Sequence, residues 1–190
     1  MSPEKPPEAL ALEFAGALEA RGINYALSGA LALAYWGVPR ATKDVDVALY
    51  AGSDQADLVA DAVEAIGAQV DRAALRSRFE EGGTEFAWYG AIRLDLFAPS
   101  IPFELEAFRT RVRVPLGTGA VWVVSAEALC VFKLLFFRSK DIPDLERIIG
   151  VQGSRLDAAW VRRWVVEMMG ADDERVRKWD ELVRDFGGAA

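Results

Sequence analysis

The chain contains short stretches with two kinds of hydrophobic spacing. Strict alternation of apolar and polar residues predicts a half-buried strand, whereas apolar residues three or four positions apart predict an amphipathic helix. Strands are predicted at 25–27, 44–49, 84–89, 91–98, 109–114 and 121–124, and helices at 8–21, 30–36, 53–66 and 125–137, with more helices from 141 onwards. The pattern predicts an α/β (α+β) core with flanking helices over residues 22–124, preceded by helix 8–21, and a helical lobe over 125–190. The charged stretch 69–83 is interpreted as solvated surface.

The most informative stretch is residues 25–50, where a short apolar strand ends at Ser28-Gly29 and a helix follows. The next predicted strand contains Asp44 and Asp46. Their side chains share one face of the strand because residues two positions apart point the same way. The valines that alternate with them are therefore predicted to face the core.

Two adjacent carboxylates on one strand face repel each other unless a cation lies between them. Carboxylate oxygens are hard ligands, which favours a magnesium ion that carries substrate phosphates. The helix that begins after Ser28-Gly29 adds an N-terminus of the kind that binds anions. The alternative is that Asp44 and Asp46 lie on a strand face that is simply solvated.

Composition narrows the chemistry that the chain can perform. The 190 residues include no histidine, which excludes histidine bases, histidine-ligated zinc and Ser-His-Asp triads. The single cysteine, Cys130, cannot form an internal disulfide and is interpreted as a small core residue. The net charge of −7 argues against non-specific coating of nucleic acid, although it leaves room for a local basic groove. No apolar run reaches the length of a membrane span, and residues 1–7 have no apolar signal-peptide core, so we expect no membrane association and a cytoplasmic protein.

Two charged residues interrupt apolar stretches. Asp95 lies between Leu94 and Leu96, and an unpaired buried carboxylate is costly, so we expect it to face a cation or an open cleft. The alternative is a structural ion pair with Arg93. Lys133 lies within the apolar run 128–137. It can extend its ammonium group to the surface, or it can emerge at a cleft and bind a triphosphate.

Further charged residues allow a structural or a functional interpretation. Arg109, Arg111 and Arg113 share one face of a predicted strand. Three guanidinium groups there either protect an exposed edge from aggregation or bind the phosphates of an acceptor. Asp141 is placed to cap the helix that follows it, with Asp144 near the positive end of that helix.

The succession of Ser28-Gly29, a helix, Arg40, Thr42 and the Asp44/Asp46 strand resembles the nucleotidyltransferase superfamily to which DNA polymerase beta belongs. More narrowly, it resembles the AbiEii/AbiGii and MenT-type toxin nucleotidyltransferases. In this chain Ser28-Gly29 stands where Gly-Gly or Gly-Ser is usual. The resemblance extends over residues 24–150, because a lone Asp95, then Lys133, then a segment ending in Lys-Asp at Asp141 follow in the family's order. It implies a mixed sheet with flanking helices, followed by a helical lobe.

The resemblance also implies a reaction, in which a nucleoside monophosphate moves from a nucleoside triphosphate (NTP) to an acceptor hydroxyl and pyrophosphate leaves. Asp44 and Asp46 would hold two magnesium ions, and Asp95 would hold one of them and help to deprotonate the acceptor. The residues that bind the nucleotide would be Ser28, Gly29, Arg40, Thr42 and Lys133. Asp141 would orient Lys133 or the acceptor.

The implied acceptor is the 3′ end of tRNA, in a toxin with a cognate antitoxin. The acidic net charge favours the same chemistry on a small hydroxylated molecule such as an antibiotic. A third alternative is a catalytically silent binding module that keeps the fold. The three carboxylates argue against this last alternative.

Overall fold

The computed structural model describes residues 5–187, and its contacts divide the chain into two compact units. The first unit comprises the described residues up to 31 together with 41–124. The second unit comprises residues 32–40 and the described residues from 125 onwards. None of the helices within 5–187 is both long and apolar enough to cross a membrane.

The first unit is built on a mixed sheet of seven strands in the described part of the chain. These are β1 (Asn24–Leu27), β2 (Asp44–Tyr50), β3 (Gln69–Val70), β4 (Gly83–Tyr89), β5 (Ile92–Ala98), β6 (Val112–Leu116) and β7 (Gly119–Val123). Their order across the sheet is β3-β4-β5-β2-β1-β7-β6. β2 runs parallel to β5 and β1 runs parallel to β7, whereas the other neighbours are antiparallel. The predicted fold class, a mixed sheet with flanking helices, is confirmed.

Five helices begin in the first unit. They are α1 (Pro7–Glu19), α2 (Gly29–Trp36), α3 (Ala56–Ala65), α4 (Arg72–Glu81) and α5 (Phe103–Arg109). One face of the central strands is fully buried, because Val45 and Val47 of β2 and Leu94 of β5 have no exposed surface. α1 contacts β1, β2 and β7 through the spacing that predicted it, and its Phe14 is buried. The opposite face of β2 and β5 carries the charged residues.

The second unit is helical. It contains the end of α2, then α6 (Ala126–Phe136), α7 (Asp141–Gln152), α8 (Ala158–Met169) and α9 (Glu174–Phe186). α6 contacts α7, α8 and α9. Trp179 of α9 is fully buried, and its indole N–H donates to the carbonyl oxygen of Ala158 at 3.1 Å. The side chain of Gln152 donates to the carbonyl oxygen of Trp36 at 2.7 Å, which ties α2 to α7.

Two elements differ from the sequence prediction in the first unit. The stretch interpreted as solvated surface contains α4, which begins after Asp71, whose carboxylate accepts the N–H groups of Ala73 and Ala74. The predicted strand 109–114 is wrong in its first half. Residues 103–109 form α5, because Phe103 and Ala107 lie one helical turn apart and are both fully buried.

Two details of the tail also differ. Asp141 does not cap α7 but is its first helical residue, and its carboxylate instead accepts the N–H of Arg138 at 3.1 Å. The spacing of Leu156, Ala159, Trp160 and Trp164 in the sequence predicts one buried helical stripe, and the structure differs there too. Val161 and Val165 are the buried residues of α8, and the two tryptophan rings pack edge to face at 6.1 Å.

Candidate active site

The first candidate group lies on the open face of the central strands. In the β2–β5 register, Asp46 is opposite Asp95 and Asp44 is opposite Arg93. Residues that are opposite in a sheet share a face, so these four charged side chains are neighbours. The paired carboxylates predicted in β2 therefore share their face with a third carboxylate, that of Asp95 in β5.

Asp46 lies against the turn that precedes α2. The N–H of Ser28 donates to the carbonyl oxygen of Asp46 at 2.8 Å. Gly29 has a φ of +55°, and a side chain at this position would overlap the carboxylate of Asp46. Glycine is therefore required both by the left-handed backbone and by the close approach of the carboxylate.

Arg93 is the cation that contacts the other two carboxylates of this face. Its guanidinium group donates to both oxygens of Asp95, at 2.5 and 3.0 Å, and lies 3.5 Å from Asp44. The bond to Asp95 raises the pKa of Arg93, so the group stays charged. Asp95 is only 8% exposed, and its pairing with Arg93 explains why a buried carboxylate is tolerated there. The ion pair that the sequence offered as an alternative is thus present.

Thr42 fixes the backbone at the start of β2. Its hydroxyl oxygen accepts the N–H of Asp44 at 3.1 Å and also lies 3.1 Å from the carbonyl oxygen of the same residue. This arrangement fixes the backbone where the first carboxylate leaves the strand. In this structure Thr42 therefore positions Asp44.

The donor set of the open face suits magnesium in chemistry, since Asp44, Asp46 and Asp95 offer carboxylate oxygens from adjacent strands. Within residues 5–187, however, no three acidic, histidine or cysteine side chains converge closely enough to form a metal cluster. The contacts of Arg93 give the reason, because both oxygens of Asp95 are turned towards its guanidinium group. By the chemistry of their side chains, Asp44 and Asp46 could hold a metal ion, whereas the two oxygens of Asp95 already contact Arg93.

The second candidate group is an ion cluster inside the helical unit. Lys133 of α6 is 4% exposed, and its ammonium group lies 2.7 Å from Asp144 and 3.5 Å from Asp141. The side chain therefore does not extend to the surface. Sequence reasoning assigned Asp144 only to the helix dipole, yet it binds the lysine more closely than Asp141 does.

Three arginines surround this buried centre. Arg40 and Arg147 bind Asp144, and Arg138 binds Asp141 through its side chain and its backbone N–H. Four cations against two carboxylates leave an excess of two positive charges. The side chains of these arginines are between 33% and 51% exposed, so part of the positive charge lies at the surface.

Burial acts to raise the pKa of both carboxylates in this cluster. Hydrogen bonds from Arg138 and the charge of Lys133 outweigh burial at Asp141, so its pKa lies below the usual range. At Asp144 the hydrogen bond and charge of Lys133 do the same with help from Arg40, and that pKa is also lowered. Both aspartates are therefore ionised at neutral pH.

The three arginines of the predicted acceptor strip do not share a strand. Arg109 ends α5 beside Glu106, and Arg111 follows in the connection, packed on the rings of Phe108 and Trp122 at 3.8 and 4.4 Å. Arg113 is in β6 and binds Glu19 at 2.7 Å. The strip was predicted from alternation, and the end of α5 breaks that alternation.

The structure therefore brings the sequence-predicted residues together in two groups, one in each unit. The first group contains Ser28, Gly29, Thr42, Asp44, Asp46 and Asp95. The second group contains Arg40, Lys133 and Asp141. Sequence reasoning named Arg93 only as an alternative partner of Asp95, and it did not count Asp144 among the functional residues. The alternation of β5 placed Arg93 on the face of Asp95, and this was the available signal for its contacts.

Comparison with solved structures supports the class of fold that the sheet defines. The solution structure of the antibiotic-resistance factor ANT(2'')-Ia is similar over 85% of this chain and 94% of the ANT(2'')-Ia chain, with 18% sequence identity and a TM-score of 0.59. A crystal structure of ANT(2'')-Ia in complex with adenylyl-2''-tobramycin covers 94% and 95% of the two chains, with 17% identity and a TM-score of 0.54. Lincomycin-bound LnuA, a lincosamide antibiotic adenylyltransferase, covers 78% and 99%, with 12% identity and a TM-score of 0.53. The fold is that of a nucleotidyltransferase.

The sequence places the chain more narrowly. The family described as nucleotidyl transferase AbiEii toxin, type IV toxin–antitoxin system, matches residues 15–185. This chain belongs to the AbiEii nucleotidyltransferase family and is an enzyme of the nucleotidyltransferase class. A comparison with curated proteins finds no match.

Proposed function

We propose that this protein transfers a nucleoside monophosphate from an NTP to the hydroxyl at the 3′ end of tRNA, acting as the toxin of a toxin–antitoxin pair in the cytoplasm. The observation that carries the chemistry is the register of β2 on β5. It aligns Asp46 with Asp95 and leaves Asp44 one step along the same open face. Family membership supports the toxin role.

In the proposed reaction, the acceptor oxygen attacks the α-phosphorus of the NTP. A new oxygen–phosphorus bond forms, and the bond between the α-phosphorus and the bridging oxygen breaks, which releases pyrophosphate. The acceptor hydroxyl loses its proton to the carboxylate of Asp95, which passes it to water. In the structure the guanidinium group of Arg93 contacts both oxygens of Asp95, so Arg93 competes with the acceptor for this carboxylate before substrate binds.

Asp44 and Asp46 are the residues that would hold magnesium, and Asp95 would join them once it is free of Arg93. When bound, the metal would neutralise charge on the phosphates and on the attacking and leaving oxygens. Asp44 and Asp46 repel each other, so a bound cation would lower the electrostatic energy of this face.

The nucleotide phosphates are proposed to bind at the Ser28-Gly29 turn, where α2 begins beside Asp46. The excess positive charge of the Lys133 cluster supports a further contribution to triphosphate binding. The partly exposed side chains of Arg40 and Arg138 would contact the phosphates. Lys133 would instead bind the two aspartates, Asp141 and Asp144, that hold these arginines in place. Lys133 is thereby proposed as a positioning residue.

The structurally similar proteins ANT(2'')-Ia and LnuA are named for antibiotics, so a small hydroxylated molecule is the competing acceptor. Incubation of the protein with each labelled NTP and magnesium, together with total tRNA, tobramycin or lincomycin, tests the proposal. We expect label on tRNA and loss of that label with chelator or in Asp44→Asn. Label on aminoglycosides or lincosamides alone would overturn the tRNA acceptor and keep the chemistry.

A matched control makes this test specific. Glu80→Gln removes an exposed carboxylate of α4 and should transfer label as the wild type does. Asp44→Asn and Asp46→Asn should each lose at least about a hundredfold in rate, the order of loss seen when a group that stabilises transition-state charge is removed. Full activity in both variants would overturn the assignment of these carboxylates.

A further inference from the structure

Two aromatic side chains lie in the open beside the carboxylates of the candidate active site. In the β4–β5 register, Phe86 is opposite Asp95 and Trp88 is opposite Arg93. Both rings therefore stand on the same sheet face as the charged residues. Phe86 is 44% exposed and Trp88 is 48% exposed, whereas Ala87 between them is fully buried.

The folding of β4 does not explain these rings. The buried face of the strand is supplied by Ala87, which packs beside the fully buried Leu94 of β5. A polar residue at either aromatic position would continue the alternation and leave the core unchanged. Two neighbouring exposed aromatics on one strand face are the kind of feature that marks a binding site.

We propose that Phe86 and Trp88 form a stacking platform for the unpaired bases at the 3′ end of an RNA acceptor. This inference rests on the proposed function and names the group that the acceptor must carry. Single-stranded ends are recognised by stacking of their splayed bases on aromatic side chains, and such stacking tolerates any base. The guanidinium group of Arg93 lies over the Phe86 ring, 5.1 Å from its centre, and the base is proposed to stack on the part of the ring that remains exposed.

The order of the strands assigns the platform to the acceptor and not to the NTP. The sheet runs β4-β5-β2-β1, so the carboxylates of β2 lie between the Ser28-Gly29 turn after β1 and the aromatic rings of β4. Phosphates of the NTP are proposed at that turn. The attacking hydroxyl must then approach from the opposite side, past Asp95, where the rings are.

The spacing of the sheet fits a terminal nucleotide. Neighbouring strands are about 4.8 Å apart, so Phe86 stands one strand from Asp95 and about 10 Å from Asp46. A base on Phe86 therefore belongs to the nucleotide that carries the reacting hydroxyl or to the one before it. Trp88 is two residues further along β4 and continues the same surface.

The test uses the full chain and two fluorescent single-stranded octaribonucleotides without NTP. One carries bases throughout, and the other lacks the bases of its two 3′-terminal nucleotides. The wild type should bind the complete oligonucleotide about 10- to 100-fold more tightly than the abasic one, the range expected for stacked bases. Phe86→Leu/Trp88→Leu should bind both equally and as weakly as the wild type binds the abasic one.

Two controls separate stacking from general damage. Trp88→Tyr keeps a ring and should retain most of the discrimination, and Phe186→Leu changes an aromatic residue that is 40% exposed at the end of α9 and should retain all of it. NTP affinity should be the same in all variants. The comparison of the two oligonucleotides on the wild type needs no variant, so it holds even if the double variant fails to fold.

The inference and the proposed function can fail separately. Equal affinity of the wild type for the two oligonucleotides, together with label transfer to tRNA, would overturn the platform and leave the function standing. Weaker NTP binding in Phe86→Leu/Trp88→Leu, with RNA binding unchanged, would assign the rings to the base of the NTP and overturn the proposal. Transfer of label to a small molecule alone would overturn the tRNA acceptor and the platform together.

Discussion

The carboxylate of Asp46 occupies the space where a side chain at Gly29 would begin. Gly29 is the first residue of α2, and Asp46 is the third residue of β2. The contact therefore joins the turn between β1 and α2 to the neighbouring strand β2. Two properties of glycine are needed there, a φ of +55° and the absence of Cβ. The contact also sets the distance between the turn that is proposed to hold phosphates and the carboxylate that is proposed to hold magnesium.

Gly29→Ala should therefore damage activity more than stability. The methyl group would displace the Asp46 carboxylate, and the left-handed backbone would cost about 1–2 kcal/mol. We expect transfer to fall at least tenfold while a cooperative thermal transition remains. The control is Gly16→Ala, since Gly16 lies in the exposed face of α1 with nothing near an added Cβ, and this variant should gain about 0.5–1 kcal/mol. Normal transfer by Gly29→Ala would show that the position of Asp46 tolerates adjustment.

The fold of the first unit was accessible from the sequence where alternation was regular. β2 and β5 follow their predicted ranges closely, because one face of each strand is apolar and the other carries the charged residues. β4 also follows its predicted range. α4 was missed because Leu75 and Phe79 are its only buried residues and charged side chains cover the rest. Asp71 before it was the available signal, as an N-cap residue.

The sheet order was less accessible. Alternation tells which residues share a face of one strand, but it does not tell which strand lies beside it. That Asp46 is opposite Asp95 depends on β5 pairing with β2 in parallel, a long-range contact. For the same reason, sequence reasoning could name Arg93 as a partner for Asp95 but could not find its contact with Asp44.

The Lys133 cluster shows a different limit. An isolated lysine in an apolar helix is ambiguous, because its long side chain can reach the surface or pair within the core. The pairing seen here depends on α7 packing beside α6 so that Asp144 and Asp141 face Lys133. Tertiary packing decides this choice, and it is absent from local spacing.

Arg93→Gln should make the protein depend on magnesium for stability. Removal of the guanidinium group leaves Asp95 buried without its cation beside two other carboxylates. Since Arg93 is about one-third exposed, we expect a modest cost of about 1–2 kcal/mol, or about 3–6 °C in melting temperature. Magnesium should then raise the melting temperature of the variant more than that of the wild type.

The control for that experiment is Arg76→Gln, which removes an arginine paired with Asp57 where both side chains are more than half exposed. Such pairs contribute little, so its melting temperature should stay near that of the wild type with and without magnesium. Equal magnesium responses in the wild type and Arg93→Gln would argue that Arg93 and the metal do not compete for Asp95.

Lys133→Met tests whether the buried lysine organises its cluster. Methionine keeps much of the volume but leaves Asp141 and Asp144 without the ammonium group between them. Breaking a buried pair costs about 3–5 kcal/mol, and the three arginines that remain should reduce this to about 2–4 kcal/mol. Lys178→Met, at an exposed pair with Glu181, should change stability by less than about 0.5 kcal/mol.

A second measurement on Lys133→Met addresses function. Transfer per folded molecule should fall, because Arg40 and Arg138 lose the carboxylates that hold them in place. Unchanged melting temperature would mean that the ammonium group contributes no net stability. Unchanged transfer by the folded fraction would remove the cluster from triphosphate binding and leave it a structural element of the helical unit.

The same cluster should make stability depend on acid pH. Asp141 and Asp144 have pKa values below the usual range in the folded chain, because Arg138 and Lys133 outweigh the effect of burial. In the unfolded chain both pKa values return to about 3.9. Each aspartate therefore contributes stability that is fully present above pH of about 4, and this contribution is lost as the pH falls through the folded pKa.

Urea unfolding between pH 6 and pH 3 measures this loss as the slope of the unfolding free energy against pH. Asp141→Asn/Asp144→Asn should start less stable at pH 6 and should lose less stability on acidification than the wild type does. Asp57→Asn, at an exposed carboxylate beside Arg76, should keep the slope of the wild type. Glu19 and Asp173 also have lowered pKa values, so part of the slope must persist in every variant. A double variant with the full slope of the wild type would mean that both aspartates keep their partners when protonated, against the charge-based account of the cluster.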